Sequence, residues 1–545
     1  MKVLIVGGVA GGASAAARLR RLDEQAEIIV LERDRYISYA NCGLPYYIGD
    51  IIKDRNNLFV QTAEAMKTRF NIDVRTESEV ININTKDKKV TVMSKTRGVY
   101  EESYDYLVLS PGTKVFRPDI PGINSGKVLK LRNIPDTDTI KSFIDEKGMK
   151  KAVVIGGGFI GIEITENLIQ RGVAVSVIEL YPQILAQFDE DIAILLEKEL
   201  VRNGVNLILN TSVTAITEKD NGVEVTLSTG EMISADFVVL AAGVIPDTDF
   251  IRGSGIELGQ KGHIIVNEKM ETSIKDVYAV GDAVEVVDFI NGRKTAIPLA
   301  GPANKQGRIA ADNIAGYNSV YKGTQGTSII KVFSLVAACT GNNEKTLKRF
   351  NIPYRSIYVH PMSHASYYPG ASQMTLKLMF DDQGKILGAQ AVGSDGVDKR
   401  IDVIATAMRL NGNVNDLAEL ELAYAPPYSS AKDPVNIAGF VAQNCLAGLS
   451  HLITWDDSEQ LNKEDYILVD VRTQREYSKG HIEGAVNIPV DELRERLTEL
   501  DKSKTIVVYC QVGYRGYIAD RILSQNGFNV LNITGGYRAL FGKNK

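Results

Sequence analysis

The sequence predicts an α/β protein of three or four domains. The chain has 545 residues, and domains average about 150 residues each. Two short apolar segments, residues 3–6 and 151–155, each run into a glycine-rich turn, a helical pattern and a second apolar segment. Buried parallel strands joined by helices have this pattern. The repeat therefore predicts two doubly wound nucleotide-binding units.

Composition and charge exclude several classes of protein. The net charge of −5 indicates neither a nucleic-acid nor a membrane-surface partner. No apolar stretch reaches the roughly 18 residues of a membrane span, and residue 1 leads into a strand without a signal-peptide pattern. The four cysteines are far apart and form no C-x-x-C pair. This spacing excludes a disulfide framework or a zinc ribbon, predicts no metal site, and fits a reducing cytoplasm.

The first glycine turn, residues 7–12, departs from the G-x-G-x-x-G pattern because Val9 stands where the second glycine is usual. The following strand ends in Glu32. An acid at this place can hold a ribose 2′-hydroxyl while the helix N-terminus takes the pyrophosphate. A tight βα turn that binds nothing would have the same pattern.

The second glycine turn has the complete pattern, with Gly156, Gly158 and Gly161. Its following strand ends in Glu179. A carboxylate there favours a free 2′-hydroxyl, hence NADH, whereas the 2′-phosphate of NADPH would be repelled and usually meets an arginine. Two such turns in one chain predict two dinucleotides, one tightly bound and one exchanging.

Further strands point to a flavin. Residues 236–243 form an apolar segment that leads into Gly243, and residues 277–282 form another that ends in Asp282. An aspartate at the carboxyl end of a strand can bind a ribityl hydroxyl. Residues 106–113 have the same pattern, an apolar segment that leads into a glycine turn at Gly112.

Cys42 lies in the stretch Ser38-Tyr-Ala-Asn41-Cys42-Gly-Leu-Pro45, a few residues after the first unit. A free cysteine has a pKa near 8.5, which a helix N-terminus can lower. Proline suits the first turn of a helix. We therefore expect a helix start at Pro45 that favours a reactive Cys42 thiolate.

Taken in this order, the motifs resemble those of the two-dinucleotide flavoprotein disulfide reductases over residues 1–445. The resemblance implies an FAD-binding domain at 1–115 and 245–322, split by an NAD(P)H-binding domain at 116–244. An α+β dimerisation domain follows at 323–445. Both nucleotide-binding domains are expected to be Rossmann-like.

The single cysteine narrows the resemblance. Reductases of the glutathione or lipoamide type carry C-x-x-x-x-C beside the flavin, whereas this chain has only Cys42 there. It is similar to the single-cysteine branch of NADH oxidases, NADH peroxidases and coenzyme A-disulfide reductases. Peroxidases usually have a histidine beside the first loop, but no histidine precedes His263. The S-x-x-N-C pattern is similar to that of the coenzyme A-disulfide reductases.

The resemblance assigns candidate ligands to each small molecule. For FAD these are Gly7, Gly8, Ala10, Gly12, Glu32, Arg33, Ser110, Gly112, Asp282 and Ala300. For NAD they are Gly156, Gly158, Gly161, Glu163, Glu179 and Gly243. For coenzyme A they are Ser14, Arg18, Arg21, Ser38 and Asn41. A basic run such as residues 18–21 is otherwise a solvated helix face.

Two tyrosines complete the implied active site. Tyr367 and Tyr424 match the pair that the family places over the active cysteine from the partner subunit of a homodimer. Tyrosine hydroxyls can hydrogen-bond a leaving thiolate and lower its proton affinity. The alternative is a pair of interface aromatics.

The resemblance further implies that electrons pass from NADH through FAD to a sulfur on Cys42, which rests as a mixed disulfide with coenzyme A.

The last hundred residues are similar to a single-domain rhodanese, at 457–545 after a linker at 446–456. A buried strand at 506–509 delivers Cys510, and a six-residue loop runs from Cys510 to Arg515. Successive backbone N–H groups of such a loop can stabilise a thiolate or persulfide. The alternative is a rhodanese-like fold without activity. Cys339 is interpreted as buried core without chemistry.

These expectations define one function and two alternatives. The chain would reduce coenzyme A disulfide, coenzyme A persulfide or polysulfide at Cys42, with Cys510 delivering sulfane sulfur. One alternative is an NADH oxidase or peroxidase that cycles a Cys42 sulfenic acid. The other is a sulfur or redox sensor without turnover.

Overall fold

The computed structural model describes residues 1–540 of the chain. They divide into two compact units. The first comprises residues 1–184 and 203–326, and the second comprises residues 185–202 and the described residues after 326.

The first unit opens with a parallel five-stranded sheet, whose strands follow the spatial order 277–279, 106–109, 2–6, 27–31 and 73–75. Its elements up to residue 115 are β1 (Lys2–Val6), α1 (Ala10–Leu22), β2 (Glu27–Leu31), α2 (Leu44–Ile48), α3 (Ala63–Phe70), β3 (Asp73–Arg75), β4 (Ser78–Asn84), β5 (Lys89–Ser94), β6 (Gly98–Ser103), β7 (Tyr106–Leu109) and β8 (Thr113–Val115). Val6 lies opposite both Leu31 and Leu109. The carboxyl ends of the central strands therefore meet at one edge, where ligands of α/β sheets bind.

A second parallel sheet, ordered β12-β11-β10-β16-β9, repeats this arrangement. The elements of this region are β9 (Val128–Lys130), α4 (Ile134–Asp145), β10 (Lys151–Ile155), α5 (Phe159–Gln170), β11 (Ala174–Ile178), α6 (Glu190–Arg202), β12 (Asn206–Ile208), β13 (Val213–Lys219), β14 (Gly222–Leu227), β15 (Met232–Ala235) and β16 (Phe237–Leu240). The fully buried apolar strands explain the continuous hydrophobic runs in the sequence.

The chain then returns to the first sheet. The elements are β17 (Val244–Pro246), β18 (Ile264–Ile265), β19 (Val277–Ala279), β20 (Val284–Val287), β21 (Lys294–Thr295) and α7 (Ala300–Ile314). β19 pairs with β7, with Ala279 opposite Leu109. α7 packs against α1, where a Cβ on Gly307 would lie 2.3 Å from the Gly11 carbonyl oxygen. The predicted α/β fold class is confirmed by these two parallel sheets.

The second unit contains an antiparallel sheet, ordered β22-β23-β26-β25-β24. Its elements are β22 (Ser328–Val332), β23 (Leu335–Gly341), α8 (Glu344–Arg349), β24 (Arg355–Val359), β25 (Thr375–Phe380), β26 (Ile386–Gly393), α9 (Val397–Arg409), α10 (Val414–Glu419) and α11 (Pro434–Leu446). α6 packs on this sheet, so one helix of the 116–244 region belongs to the second unit.

The last elements form a parallel sheet, ordered β27-β31-β30-β28-β29. They are β27 (Leu452–Ile453), α12 (Trp455–Glu459), β28 (Tyr466–Asp470), α13 (Gln474–Ser478), β29 (Val486–Asn487), β30 (Thr505–Tyr509), α14 (Tyr514–Gln525) and β31 (Val530–Ile533). Because β27 pairs with β31, part of the expected 446–456 linker lies in this sheet. The only tryptophan, Trp455, donates its Nε1–H to the Gly536 carbonyl oxygen at 2.9 Å.

Helices of the described part of the chain lack the length and apolar character that a bilayer crossing requires.

Candidate active site

The first glycine turn is built so that only glycine fits at two of its positions. Gly7 has φ +95°, and a Cβ there would lie 2.1 Å from the Ser110 carbonyl oxygen. A Cβ on Gly12 would lie 1.9 Å from the Gly7 carbonyl oxygen. Both distances are far below contact, so the turn from β1 into α1 is held tight. Ala10 begins α1, at the end of the helix that favours anions.

Glu32 at the end of β2 locks this turn. Its carboxylate accepts the Gly8 N–H at 2.8 Å and the Asp34 N–H at 2.9 Å. The side chain is buried, and burial raises the pKa of Glu32. Two backbone amides therefore hold the Glu32 carboxylate beside the first glycine turn, and its contact with a ribose stays a prediction.

A cavity of about 360 Å³ opens at this edge of the first sheet. It is lined by seven of the predicted FAD residues, namely Gly7, Ala10, Glu32, Arg33, Ser110, Gly112 and Asp282. Gly8, Gly12 and Ala300 are not among the lining residues, and Ala303 of α7 is. Burial raises the pKa of Asp282, which Arg132 opposes.

The cavity is also lined by Arg132, which no sequence motif predicted, and by Asn41, which was predicted to bind coenzyme A instead. Arg132 lines the cavity and donates its Nε–H to the Thr113 carbonyl oxygen at 2.9 Å. Asn41, predicted to contact coenzyme A, also lines the cavity, and its buried Oδ1 has no hydrogen-bond partner among the described residues. No local pattern marks Arg132, because it follows β9 in the other nucleotide-binding region. A glycine cradle, an acid and an orphaned acceptor fit a dinucleotide such as FAD.

The second glycine turn repeats the geometry of the first. Gly156 has φ +109°, and its Cβ would lie 2.3 Å from the Ala241 carbonyl oxygen. A Cβ on Gly161 would lie 1.9 Å from the Gly156 carbonyl oxygen. Glu179 accepts the N–H groups of Gly157 at 2.6 Å and of Tyr181 at 2.9 Å. The residues therefore fit a second dinucleotide.

Two other predicted NAD residues, Gly158 and Gly243, border open space beside this turn. Gly158 is the N-cap of α5, and neither it nor Gly243 has a heavy atom within 4 Å of an added Cβ. Gly243 has φ +105°, which a glycine adopts readily. Room at these positions leaves the backbone accessible to a ligand.

Glu163 links the second turn to Cys42. It lies on α5, which packs against α2. Burial raises the pKa of Glu163 to about 7, the neighbouring Glu166 adds to this, and a hydrogen bond from Tyr46 opposes it. The sequence predicted Glu163 as an NAD residue only. Its proximity to Cys42 depends on how the two helices pack, which no sequence spacing reveals.

Cys42 lies in a 3₁₀ turn, Asn41–Gly43, that leads directly into α2 with Pro45 in its first turn. The helix start was predicted correctly. The expected lowering of the thiol pKa was wrong, since the pKa of Cys42 is raised by partial burial and then by Glu163 and Asp282. α2 has only five residues, so its dipole is too small to offset burial and the two carboxylates. Although the residue as a whole is exposed, its sulfur is partly desolvated.

The predicted coenzyme A residues divide into two groups. Ser14 Oγ donates to Asn304 Oδ1 at 2.7 Å, and Arg18 Nε donates to Asp312 Oδ1 at 2.6 Å, so both face α7. Arg21 is exposed further along α1, and Ser38 adopts φ +43° in the loop after β2. Asn41 lies instead in the 360 Å³ cavity.

In the second unit, Tyr367 and Tyr424 come together despite their distance in sequence. Their hydroxyl oxygens are 3.0 Å apart. The side chains are exposed, Tyr367 to 74% and Tyr424 to 48%. The hydrogen bond to Tyr424 raises the pKa of Tyr367. The pair is therefore presented at a surface rather than packed in the core.

The last sheet delivers Cys510 as predicted, directly after β30. The thiol is fully buried, and the Gly513 N–H donates to its sulfur at 3.1 Å. Arg515 lies in the first turn of α14, not in the loop, and forms two hydrogen bonds of 2.7 Å to Glu476. This ion pair lowers the pKa of Glu476 to about 2.

Cys339 is buried in β23, as predicted.

Comparison with known proteins divides the chain into three parts. The family model described as pyridine nucleotide-disulphide oxidoreductase matches residues 1–307, and its dimerisation domain matches residues 327–434. A rhodanese-like domain matches residues 457–543.

Relatives match over most or all of the chain. The coenzyme A disulfide reductase of Staphylococcus epidermidis is 39% identical over 445 residues, which are 81% of this chain and 100% of that protein. Reduced Bacillus anthracis CoADR-RHD superposes with a TM-score of 0.97 at 50% identity, over 99% of this chain and 97% of that chain. The NAD-dependent persulfide reductase from A. fulgidus superposes with a TM-score of 0.92 at 38% identity, over 99% of this chain and 100% of that chain.

Proposed function

Since the chain belongs to the pyridine nucleotide-disulphide oxidoreductase family, we propose that it uses NAD(P)H and FAD to reduce coenzyme A disulfide and coenzyme A persulfide at Cys42. Relatives named coenzyme A disulfide reductase and persulfide reductase support this choice. The observation that carries it is that Cys42 is the only cysteine among residues 1–326. The second sulfur of the reaction therefore comes from the substrate.

FAD would be held at the 360 Å³ cavity. Glu32 would accept from its ribose, the amides of the first glycine turn would meet its pyrophosphate, and Asp282 would bind its ribityl chain. Bound there, FAD supplies the two-electron link between NAD(P)H and a sulfur on Cys42. The remaining FAD assignments, Gly8, Gly12, Arg33, Ser110, Gly112 and Ala300, belong to the same proposal.

NADH would bind at the second glycine turn. Gly156 and Gly161 shape the turn, and Glu179 offers a carboxylate to a free 2′-hydroxyl. The exposed side chains after it, Leu180 and Tyr181, bring no positive charge for a 2′-phosphate. We therefore propose NADH as the preferred donor over NADPH. Gly158, Glu163 and Gly243 complete the proposed NAD set.

The chemistry at Cys42 needs one external sulfur compound in each turnover. The thiolate attacks one sulfur of coenzyme A disulfide, forms a mixed disulfide and releases one coenzyme A thiolate. Two electrons and one proton then cleave the mixed disulfide and release the second thiol. The overall balance is one disulfide, one NADH and one proton giving two thiols and NAD⁺. With coenzyme A persulfide, the products are one thiol and hydrogen sulfide.

We place coenzyme A along α1. Arg21 is exposed and Arg18, held by Asp312 on the α7 side, is half-buried, so Arg21 would bind a phosphate directly and Arg18 would add its charge beside it. Ser14, Ser38 and Asn41 would contact the remainder of the molecule. In the proposed homodimer, the tyrosine pair of one subunit would cover Cys42 of the other and hydrogen-bond the leaving thiolate.

The rhodanese domain would supply sulfane sulfur. The Cys510 thiolate takes the outer sulfur of a persulfide or polysulfide and releases the donor as a thiol. The Gly513 N–H, 3.1 Å from the Cys510 sulfur, would hydrogen-bond the sulfur as it receives and passes on the transferred atom. Attack by a coenzyme A thiolate on this persulfide would form coenzyme A persulfide and restore Cys510.

The decisive experiment compares wild type, Cys42→Ser and Cys445→Ser as a matched control. Wild type and Cys445→Ser should oxidise NADH with coenzyme A disulfide and yield two thiols for each NADH. Cys42→Ser should retain FAD and its reduction by NADH but lose turnover. Mass spectrometry before and after thiol reduction should find coenzyme A on Cys42.

Three results would contradict the proposal. Full turnover by Cys42→Ser removes the assigned cysteine. Equal NADH consumption with oxygen or peroxide alone favours an oxidase or peroxidase. Flavin reduction without any turnover of a sulfur compound favours a sensor.

A further inference from the structure

The turn that follows β31 is tied by its backbone to the Cys510 loop. The Tyr537 N–H donates to the Cys510 carbonyl oxygen at 2.7 Å. The Arg538 N–H donates to the Gln511 carbonyl oxygen at 3.0 Å. We call residues 534–538 the docking turn. Its shape and that of the sulfur-transfer loop depend on each other.

The docking turn also contacts the antiparallel sheet of the same unit. The buried Tyr358 N–H donates to Thr534 Oγ1 at 2.9 Å. Arg538 donates from its guanidinium to Gln373 Oε1 at 2.7 Å. The backbone of Gly535 packs so closely against Tyr358 that an added Cβ would lie 2.7 Å from the Tyr358 Cβ. The docking turn therefore bridges the rhodanese and dimerisation domains.

These contacts reach the base of one hairpin, residues 360–374, between β24 and β25. Gln373 Nε2 donates to the His360 carbonyl oxygen at 2.7 Å, which closes the base. The hairpin carries Tyr367, whose side chain is 74% exposed and hydrogen-bonds Tyr424. The hairpin is held near Tyr367 by the Ala365 N–H, which donates to the Ser429 carbonyl oxygen at 3.0 Å, and at its base by the docking turn, so both anchors position the exposed tip.

We propose that Thr534 and Arg538 are positioning residues for the reductase reaction, because the docking turn holds the hairpin that carries Tyr367. The inference rests on the proposed function, in which the Tyr367–Tyr424 pair covers Cys42. It assigns the rhodanese domain a part in a reaction that does not use Cys510. Coenzyme A disulfide, which needs no sulfur transfer, is therefore the diagnostic substrate.

The test uses Thr534→Val and Arg538→Met in the full FAD-loaded chain. Gln373→Leu removes the bond to Arg538 from the other side together with the Gln373 bond to the His360 carbonyl oxygen, and Arg538→Lys retains a donor. Arg496→Met is the matched control, because the ion pairs of Arg496 within residues 1–540 are with Glu492 and Glu499 on the rhodanese surface. Circular dichroism melting establishes that each variant is folded.

Stopped-flow absorbance separates the two half-reactions. Flavin reduction by NADH should be unchanged in every variant. Reoxidation by coenzyme A disulfide should slow about fivefold in Arg538→Met, the factor that one hydrogen bond of average net strength provides. Thr534→Val should slow it more, because it leaves a buried N–H without an acceptor. Arg538→Lys should recover part of the rate.

Coupling through this one bond has a further signature. Because Gln373→Leu already removes the bond to Arg538, adding Arg538→Met to it should cause no further slowing. Hydrogen exchange of peptides from 360–374 should accelerate in Arg538→Met and Thr534→Val and remain as in wild type in Arg496→Met. This readout needs no turnover.

Each other result overturns a definite claim. If wild type reduces no sulfur substrate, the proposed function fails. If wild type is active and both variants match it in rate and hydrogen exchange, the positioning role fails. Equal slowing of both half-reactions, or additive effects in the double variant, likewise rejects the positioning role.

Discussion

At the scale of single residues, Cys42 depends on the carboxylates that face it. Its thiol is partly desolvated, and Glu163 and Asp282 further disfavour the thiolate. If only a helix N-terminus lay beside the cysteine, the pKa of the thiol would be lowered instead. Partial burial thus raises the pKa of Cys42 most, and two carboxylates from other elements raise it further.

Glu163→Gln should make Cys42 ionise at lower pH. Glu163, with a pKa of about 7, is already charged where Cys42 titrates, and removing this negative charge favours the thiolate. The rate of Cys42 alkylation by iodoacetamide, followed by peptide mass spectrometry after thiol reduction, should rise a few-fold at pH 8. Glu64→Gln, an exposed acid on α3, is the control. An unchanged pH profile in Glu163→Gln would contradict this account.

Glu476→Gln should destabilise the rhodanese domain at pH 7. The Arg515–Glu476 pair is partly exposed, so its loss should cost on the order of 1 kcal/mol. The folded-state pKa of about 2 lies below the ordinary value of 4.5. The stabilisation is therefore complete above pH 4.5 and is lost as the pH falls from 4.5 toward 2.

Trp455 fluorescence during urea unfolding measures this difference, because the only tryptophan lies beside Gly536. The gap between Glu476→Gln and wild type should be smaller at pH 3.5 than at pH 7. A gap that grows in acid would show that another contact, and not the carboxylate, is responsible.

At the scale of elements, the two glycine turns are separable. Gly161→Ala places a Cβ 1.9 Å from the Gly156 carbonyl oxygen, so the second turn must open. We expect the KM for NADH to rise at least about tenfold, the factor that 1.4 kcal/mol provides. FAD content should be retained, because the first turn is in the other sheet.

Gly126→Ala is the control for this change, since an added Cβ there meets no heavy atom within 4 Å. It should leave both NADH kinetics and FAD content unchanged. Loss of FAD from Gly161→Ala would mean that the two turns do not act independently.

Sequence patterns predicted the glycine turns and their acids because those requirements are local. Glu32 and Glu179 each accept from an amide of the glycine turn in their own βαβ unit, and the positive φ of Gly7 and Gly156 is a property of the turn itself. Arg132 could not be predicted, because it reaches the first cavity from a strand of the second sheet.

The sequence also could not predict where helices begin or how they pack against each other. Glu163 approaches Cys42 only through the contact of α5 with α2. Arg515 was predicted in a loop, but α14 begins at Tyr514. Helix boundaries are the least certain product of a sequence pattern. The exposed Tyr367–Tyr424 pair was found through family resemblance and not through periodicity.

At the scale of the whole molecule, Cys510 and Cys42 belong to different compact units. Cys510→Ala should lower sulfide release from persulfides at least about tenfold. Reduction of coenzyme A disulfide should be affected much less, because that substrate brings both of its sulfurs. Methylene-blue assay of sulfide and NADH absorbance measure the two rates on one sample. Equal loss of both activities, or of neither, would refute the sulfur relay.

The return of the chain to its first sheet has a consequence for protein synthesis. Because β19 pairs with β7, the first sheet cannot be completed until residue 279 has left the ribosome. By then every strand of the second sheet, β12-β11-β10-β16-β9, has left the ribosome, because the last of them ends at Leu240, and this sheet is free to form. α6 must wait longer still, because its partners β22, β23 and β26 end only at Gly393. A nascent chain of intermediate length thus presents an uncovered amphipathic helix, which is the stage at which a chaperone would be needed.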